Sequence, residues 1–335
     1  MSVAELSKHT AKGLLPSTIA RSHAPRGLNA GTENAESAGG WEHAVALGDD
    51  DARSRELRAA LDRRDAQTRL LEGVRARVSR GPRSSRRVSL TARKSGDEDL
   101  RVLFSRDGVA AYERRLSQIS IQDLVHGRPM RTFSRRNAQS NKPAAHYSRT
   151  TADLVGCESQ HERRFVTLAD FSASVVHIAA QPFTIEFPPG CEVTSHTPDF
   201  VLLGAYGAIV VVDVKWPSKA LDERAVRRHA IVKKALAAAG IAHFVWTGTP
   251  LVVTENLANF AAARVPERMM LDLAPKLLSA HTPGMSVRGL RESAAQFRGV
   301  DPTVGLVVLR RMLWEQQLKT DIFQRFSPDS ELTRP

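Results

Sequence analysis

The chain has 335 residues and carries 48 Lys and Arg against 36 Asp and Glu, a formal net charge of +12. Its 42% hydrophobic and 25% charged residues are typical of a globular protein, and the length suits two folding units. No apolar run is long enough to span a membrane, no secretory signal is evident, and two cysteines are too few for a disulfide framework. We therefore expect a cytoplasmic protein with an anionic partner and no membrane association.

Most of the positive charge lies in the N-terminal half, where residues 1–153 hold 28 Lys and Arg against 18 Asp and Glu. Residues 1–50 lack periodicity, which predicts a disordered tail. Residues 51–154 are predicted to form a basic arm of helix and loops, with a thin leucine stripe on a helix over 52–79. An acid-free run within this arm predicts phosphate contacts by Arg75, Arg77, Arg80, Arg83, Arg86 and Arg87, and a solvated tail is the alternative.

Residues 155–264 show the clearest alternation of helices and strands. A helix is predicted over 158–171, followed by short strands over 175–179 and 183–187. Strands over 199–203 and 208–215 are joined by Gly204-Ala205-Tyr206-Gly207, which predicts a hairpin, and the second strand is apolar enough to be buried on both faces. A helix over 221–239 and a strand over 241–246 follow. This order predicts an α/β fold with a mixed sheet flanked by helices.

The helix over 221–239 is predicted to turn one face to solvent, and its arginines are candidate DNA contacts: Arg224, Arg227 and Arg228. Residues 265–335 contain three further helical segments and a strand-like stretch, Leu318–Phe323. They predict a separate winged-helix-like domain that binds DNA or protein.

The candidate chemistry lies in Glu162, Pro198-Asp199 and Asp213-Val214-Lys215. Asp213 and Lys215 are two residues apart on one strand, so they share a face, and the hairpin brings Asp199 beside Asp213. Glu162 lies on the core-facing stripe of its helix. Three carboxylates and one lysine at one point are typical of a magnesium site for phosphodiester hydrolysis, although Pro-Asp and Asp-x-Lys also occur in unrelated chains.

In this interpretation Asp199, Asp213 and the carbonyl of Val214 hold Mg²⁺, for which Mn²⁺ could substitute, and Glu162 binds a second ion or a metal-bound water. Lys215 orients or deprotonates the attacking water. Glu158 and Gln181 are assigned supporting positions, and Glu158 could equally be a simple helix N-terminal carboxylate. The histidines show no zinc-like spacing and are interpreted as packing or surface residues.

Residues 131–260 resemble the catalytic domain of TnsA-type transposon endonucleases, members of the PD-(D/E)xK restriction-endonuclease-like superfamily. The match runs through Glu158–Glu162, Leu168–Phe171, Gln181–Phe183, Thr197–Phe200, Val212–Lys215 and the helix near Leu221–Arg224. Trp216 departs from it, because a proline is common at that position in the family.

The resemblance implies a restriction-endonuclease-like core and a bacterial, nucleoid-associated enzyme that cuts one DNA strand at each transposon end. A TnsB-like DDE recombinase would process the other strand, and a TnsC-like AAA+ ATPase would regulate both. The residues carried over as active-site positions are Glu162, Asp199, Asp213 and Lys215. A stand-alone restriction or repair nuclease and a non-catalytic DNA- or ATPase-binding adaptor are the alternatives.

Overall fold

The computed structural model describes residues 40–48, 51–70, 87–89, 100–131, 143–297 and 301–335. Within these ranges the chain is a mixed α/β structure with ten α-helices and three β-sheets. No helix in the same ranges has the length and apolar character needed to cross a membrane. The predicted disorder of residues 1–39 lies outside the described residues.

The helices are α1 (Gly40–Ala46), α2 (Asp51–Leu70), α3 (Ile121–Val125), α4 (Gln160–Phe171), α5 (Pro217–Ala220), α6 (Glu223–Ala238), α7 (Leu251–Ala261), α8 (Glu267–Ala280), α9 (Val287–Ala294) and α10 (Pro302–Trp314). The strands are β1 (Arg87–Ser89), β2 (Arg101–Phe104), β3 (Ala111–Arg115), β4 (Ala144–Ser148), β5 (Asp153–Cys157), β6 (Val175–Ala180), β7 (Phe183–Glu186), β8 (Ser195–His196), β9 (Phe200–Gly204), β10 (Ile209–Val214) and β11 (Ala242–Trp246).

A mixed four-stranded sheet with the order β11-β10-β9-β6 carries the predicted hairpin. Strands β9 and β10 pair antiparallel with Leu203 opposite Ile209, so the hairpin prediction is confirmed. Helix α6 then returns the chain to β11, which lies parallel to β10. Strand β10 is buried along its whole length because α4 packs on one side of the sheet and α6 on the other, again as predicted.

The second sheet, in the order β1-β3-β2-β7-β8, corrects the predicted basic arm over residues 51–154. Strand β2 pairs with β7 through Val102 opposite Ile185, and Phe104 opposite Phe183. These four side chains are buried in one hydrophobic cluster. Segments that read as isolated apolar fragments in the sequence are therefore integral strands, because their partner strand lies about 80 residues further along the chain.

The chain passes between the two sheets twice, and the two crossings meet. It leaves β6 for β7 through Gln181-Pro182, and it leaves β8 for β9 through Thr197-Pro198. Gln181 adopts a positive φ of 47° and donates its backbone N–H to the Asp199 carbonyl at 3.0 Å. The predicted Pro-Asp motif thus lies where the two sheets join.

A third, two-stranded sheet pairs β4 with β5 and packs against α4. The buried Asp170 carboxylate of α4 accepts hydrogen bonds from His146 at 2.9 Å and Ser148 at 2.7 Å, both on β4. The domain boundary predicted between residues 154 and 155 falls inside β5. It is therefore wrong, because β5 is bonded to a strand on the other side of that boundary.

Helix α1 corrects the predicted disorder for residues 40–48. Trp41 and Val45 are fully buried, and Trp41 packs edge-on against Phe165 of α4 with ring centroids 5.5 Å apart. A Cβ atom at Gly204 would collide with the carbonyl oxygen of Val45, so β9 is built to accept the close approach of this helix. The residues around α1 in the sequence are mostly polar, so the sequence pattern did not reveal that Trp41 and Val45 fix this helix to the core.

The C-terminal helices are not a separate unit. Residues of α8, α9 and α10 belong to the same hydrophobic cluster as α4 and β10. Asn256 of α7 donates to the carbonyls of Ile322 and Gln324, and Gln316 donates to the carbonyl of Phe171. The predicted strand over 318–323 is reduced to an isolated antiparallel bridge between Lys319 and Thr333, and a second bridge joins Ser286 to Glu331. The winged-helix-like layout stays a prediction.

Replacing Trp41 with Ala is expected to lower the free energy of unfolding by about 3–5 kcal/mol, because a fully buried aromatic ring is lost. Urea denaturation of the full chain would measure it. Leu47→Ala, at an exposed position in the same segment, is the matched control and should change stability by less than about 0.5 kcal/mol. Equal stability of both variants would contradict the docking of α1.

Burial raises the pKa of Glu42 in α1 from 4.5 to about 7. The folded state therefore binds the Glu42 proton more tightly than the unfolded chain does. The protonated Glu42 contributes fully to the free energy of unfolding below pH 4.5, and this contribution is lost as the pH rises through about 7. We expect Glu42→Gln to be more stable than the wild type at pH 8 and similar to it at pH 4.5 in thermal unfolding. Glu255→Gln, on an exposed part of α7, should follow the wild type at both pH values.

Candidate functional site

The predicted residues meet at one end of the β9–β10 hairpin. Asp199 directly precedes β9, Asp213 is the second-last residue of β10, and Lys215 follows it. Because the two strands are antiparallel, the start of β9 lies beside the end of β10. The Asp199 backbone N–H donates to Asp213 Oδ1 at 3.3 Å, so the juxtaposition of the two aspartates is confirmed.

Asp199 and Lys215 form an ion pair at this end. Lys215 Nζ lies 3.3 Å from Asp199 Oδ2 and donates to the Val214 carbonyl at 3.2 Å, while the Val214 N–H donates to Asp199 Oδ2 at 2.8 Å. Burial raises the pKa of Asp199 against the opposing effect of the lysine. Burial would lower the pKa of Lys215, but the charges of Asp199 and Asp213 raise it, so the lysine is a cation.

Glu162 is held at the start of α4 by the loop before the helix. Its backbone N–H donates to the side chain of the N-cap residue Ser159, whose hydroxyl donates to Glu162 Oε1 at 3.0 Å. The Glu158 N–H donates to Glu162 Oε2 at 2.7 Å. Burial, and then the nearby charge of Asp199, raises the pKa of Glu162 to about 7.

The two residues assigned supporting positions differ in what they contact. Glu158 reaches Glu162 through its backbone, and its carboxylate lies 3.9 Å from Arg131 Nη1. Gln181 is buried at the crossing between the sheets, where its backbone binds Asp199 and its side-chain amide has no hydrogen-bond partner within the described residues. Gln181 therefore positions the Asp199 main chain.

Three histidines surround the other oxygen of Asp213, which corrects their interpretation as packing or surface residues. His243 Nε2 donates to Asp213 Oδ2 at 2.8 Å, while His196 Nε2 and His229 Nδ1 approach the same oxygen to 3.1 and 3.3 Å. Burial would raise the pKa of Asp213, but its interactions with these imidazoles lower it well below the usual range.

The histidines could not be found by motif spacing, because each comes from a different element. His196 is on β8, His229 on α6 and His243 on β11. One weak signal was available: in the parallel pair β10–β11, Val211 lies opposite His243, and Asp213 shares the face of Val211. A polar residue at that point of a buried strand would have suggested a contact with Asp213.

An exposed aromatic surface lies directly after Lys215 in the chain. Trp216 is 50% exposed and stacks on His161 with ring centroids 4.0 Å apart. His161 Nε2 in turn lies 3.2 Å from the Lys215 carbonyl oxygen. A groove beside this pair is also lined by the exposed Arg164 and by Thr247.

The predicted DNA-binding arginines divide into two groups. Arg75, Arg77, Arg80, Arg83 and Arg86 lie outside the described residues, and Arg87 is described only through its backbone in β1. Arg224, Arg227 and Arg228 are exposed on α6, as predicted. Of these, Arg227 pairs with Glu192 and Glu223 at 3.4 Å, and Arg228 donates to the carbonyl of Ser195.

The chain matches no protein-family model and no curated protein sequence. Its function therefore has to be inferred from the chemistry of the site.

Proposed function

We propose that the chain is a metal-dependent DNA endonuclease with a restriction-endonuclease-like core, acting as a TnsA-like subunit of a heteromeric transposase. The observation that carries the proposal is the meeting of Asp199, Glu162 and Lys215 at the end of the β9–β10 hairpin. The mixed sheet flanked by α4 and α6 supports it, since the resemblance implies such a core.

The residues present fit a hard divalent cation such as Mg²⁺ or Mn²⁺. Asp199 Oδ2 and the Val214 carbonyl oxygen both face one cationic group, the Lys215 ammonium, at 3.3 and 3.2 Å. Two oxygen donors directed at one positive charge, with Glu162 close by, are the donor type that such ions prefer. When bound, the metal would supply Lewis-acid stabilisation of the phosphate charge.

Asp213 takes a different part in this proposal from the one predicted. Its Oδ1 accepts the Asp199 N–H and its Oδ2 is directed at three histidines, so the carboxylate holds the backbone of Asp199 in place. The proposed magnesium ligands are therefore Asp199 and the Val214 carbonyl, and Glu162 would contact a metal-bound water.

Lys215 and Glu162 would divide the electrostatic and proton-transfer roles. Lys215 remains protonated between two carboxylates, so it offsets phosphate charge and is a poor base. Glu162 has a pKa of about 7, which suits a group that accepts a proton from the attacking water at neutral pH. The role of deprotonating the attacking water, which was predicted for Lys215, is therefore assigned to Glu162.

The surface around the site has features suited to nucleic acid. The exposed Trp216 ring beside Lys215 offers a face for base stacking, and the exposed Arg164 and Arg224 offer contacts to phosphates. The proposed partners remain transposon-end DNA, a TnsB-like DDE recombinase and a TnsC-like AAA+ ATPase, in the cytoplasm of a bacterium.

Asp199→Asn and Lys215→Met are expected to reduce Mg²⁺- or Mn²⁺-dependent nicking of supercoiled DNA by at least about 100-fold, because the first removes a proposed metal ligand's charge and the second removes the cation that would offset phosphate charge. Nicking should be measured with the chain alone and together with a TnsB-like recombinase and a TnsC-like ATPase. Binding of Mn²⁺, followed by electron paramagnetic resonance, should weaken in Asp199→Asn.

The matched controls are Asp272→Asn and Lys276→Met, which break an exposed ion pair on α8. Both should cleave DNA and bind Mn²⁺ as the wild type does. Wild-type cleavage by Asp199→Asn and Lys215→Met would overturn the proposal. Undiminished transposition with Asp199→Asn would favour a non-catalytic adaptor.

A further inference from the structure

We propose that His196, His229, His243 and Asp213 form a binding site for a zinc ion. The ligands come from four elements, namely β8, α6, β11 and β10. All four side chains are more than nine-tenths buried. Its ligands differ from those of the proposed magnesium site, although the two sites adjoin through Asp213.

The distances from the three ring nitrogens to the Asp213 oxygen are close to those between the ligand atoms of tetrahedral zinc. Bonds of about 2.0–2.1 Å place tetrahedral ligand atoms about 3.3 Å from one another. The three ring nitrogens lie 2.8, 3.1 and 3.3 Å from Asp213 Oδ2. The donor atoms of His196, His243 and Asp213 all lie within 4.8 Å of one another, and His229 would complete the four-ligand cage by a rotation of its side chain.

Two of the nitrogens lack a satisfactory partner in the protein. His196 Nε2 and His229 Nδ1 are buried and lie 3.1 and 3.3 Å from Asp213 Oδ2, but neither makes a hydrogen bond of good geometry. One carboxylate oxygen would have to accept three N–H groups, which exceeds its two lone pairs. Buried polar atoms left unpaired are costly, and a cation between the nitrogens and the oxygen would satisfy all of them.

The donor set selects the metal. Three imidazoles and one carboxylate suit zinc, whereas magnesium prefers oxygen ligands and retains several waters. Because all four ligands are buried, little room remains for a substrate, as in a closed structural site. The ion would fasten β8 of one sheet to β10 and β11 of the other, and α6 to both.

The site adjoins the proposed active site through Asp213. Its Oδ2 faces the zinc ligands, and its Oδ1 accepts the N–H of Asp199. The Arg228 contact with the Ser195 carbonyl fastens α6 to β8 beside His196 and His229. Zinc would therefore fix the position of the Asp199 main chain without contacting the substrate.

The full chain, purified after expression with added zinc, is expected to contain one zinc ion per chain by inductively coupled plasma mass spectrometry. Replacement by Co²⁺ should give the intense visible absorption of a four-coordinate ion. His229→Gln and His243→Asn should each weaken zinc binding at least about tenfold, since each removes a direct ligand. His281→Gln is the control: it alters another buried histidine, bonded to the Leu332 carbonyl, and should leave zinc binding unchanged.

Circular dichroism and gel filtration would identify variants that fail to fold. If neither His229→Gln nor His243→Asn folds, the zinc content of the wild-type protein decides the question. Folded wild-type protein that binds no zinc would overturn the proposal. Wild-type affinity in both folded site variants would also overturn it. Asp199→Asn should retain zinc while losing nicking, so a failure of the nuclease proposal and a failure of the zinc proposal give different results.

Discussion

The ionised carboxylate of Asp213 is the constraint around which this structure is arranged. It is 1% exposed at the end of an apolar strand, where an unpaired charge would be prohibitively costly. The fold compensates it from two sides, with the Asp199 N–H at one oxygen and three imidazoles at the other. The two proposed metal sites are therefore coupled through one side chain.

The crossing between the two sheets explains how three neighbouring residues, His196, Pro198 and Asp199, acquire different roles. His196 still belongs to the five-stranded sheet, Pro198 carries the chain over, and Asp199 begins the four-stranded sheet. Gln181 makes the opposite crossing and bonds to Asp199 there. A short segment can thus supply one residue to a histidine cluster and another, three residues later, to an oxygen-rich site.

The predicted division of the chain into arm, core and tail failed for one physical reason. The apolar residues of each flanking segment, such as Trp41, Val102 and Trp314, pack in clusters shared with elements of residues 155–264. A flanking segment looks independent in a sequence because local patterns contain no information about a partner that is distant along the chain.

The sequence alone determined several local elements and the approach of Asp199 to Asp213. Periodicity located α4, α6 and the β9–β10 hairpin, and the antiparallel hairpin brought the two aspartates together. Only the tertiary structure decided which way each charge is satisfied: Asp199 toward Lys215, and Asp213 toward His196, His229 and His243. The physical reason is that local periodicity follows from backbone geometry, whereas convergence of residues from four elements depends on how those elements pack.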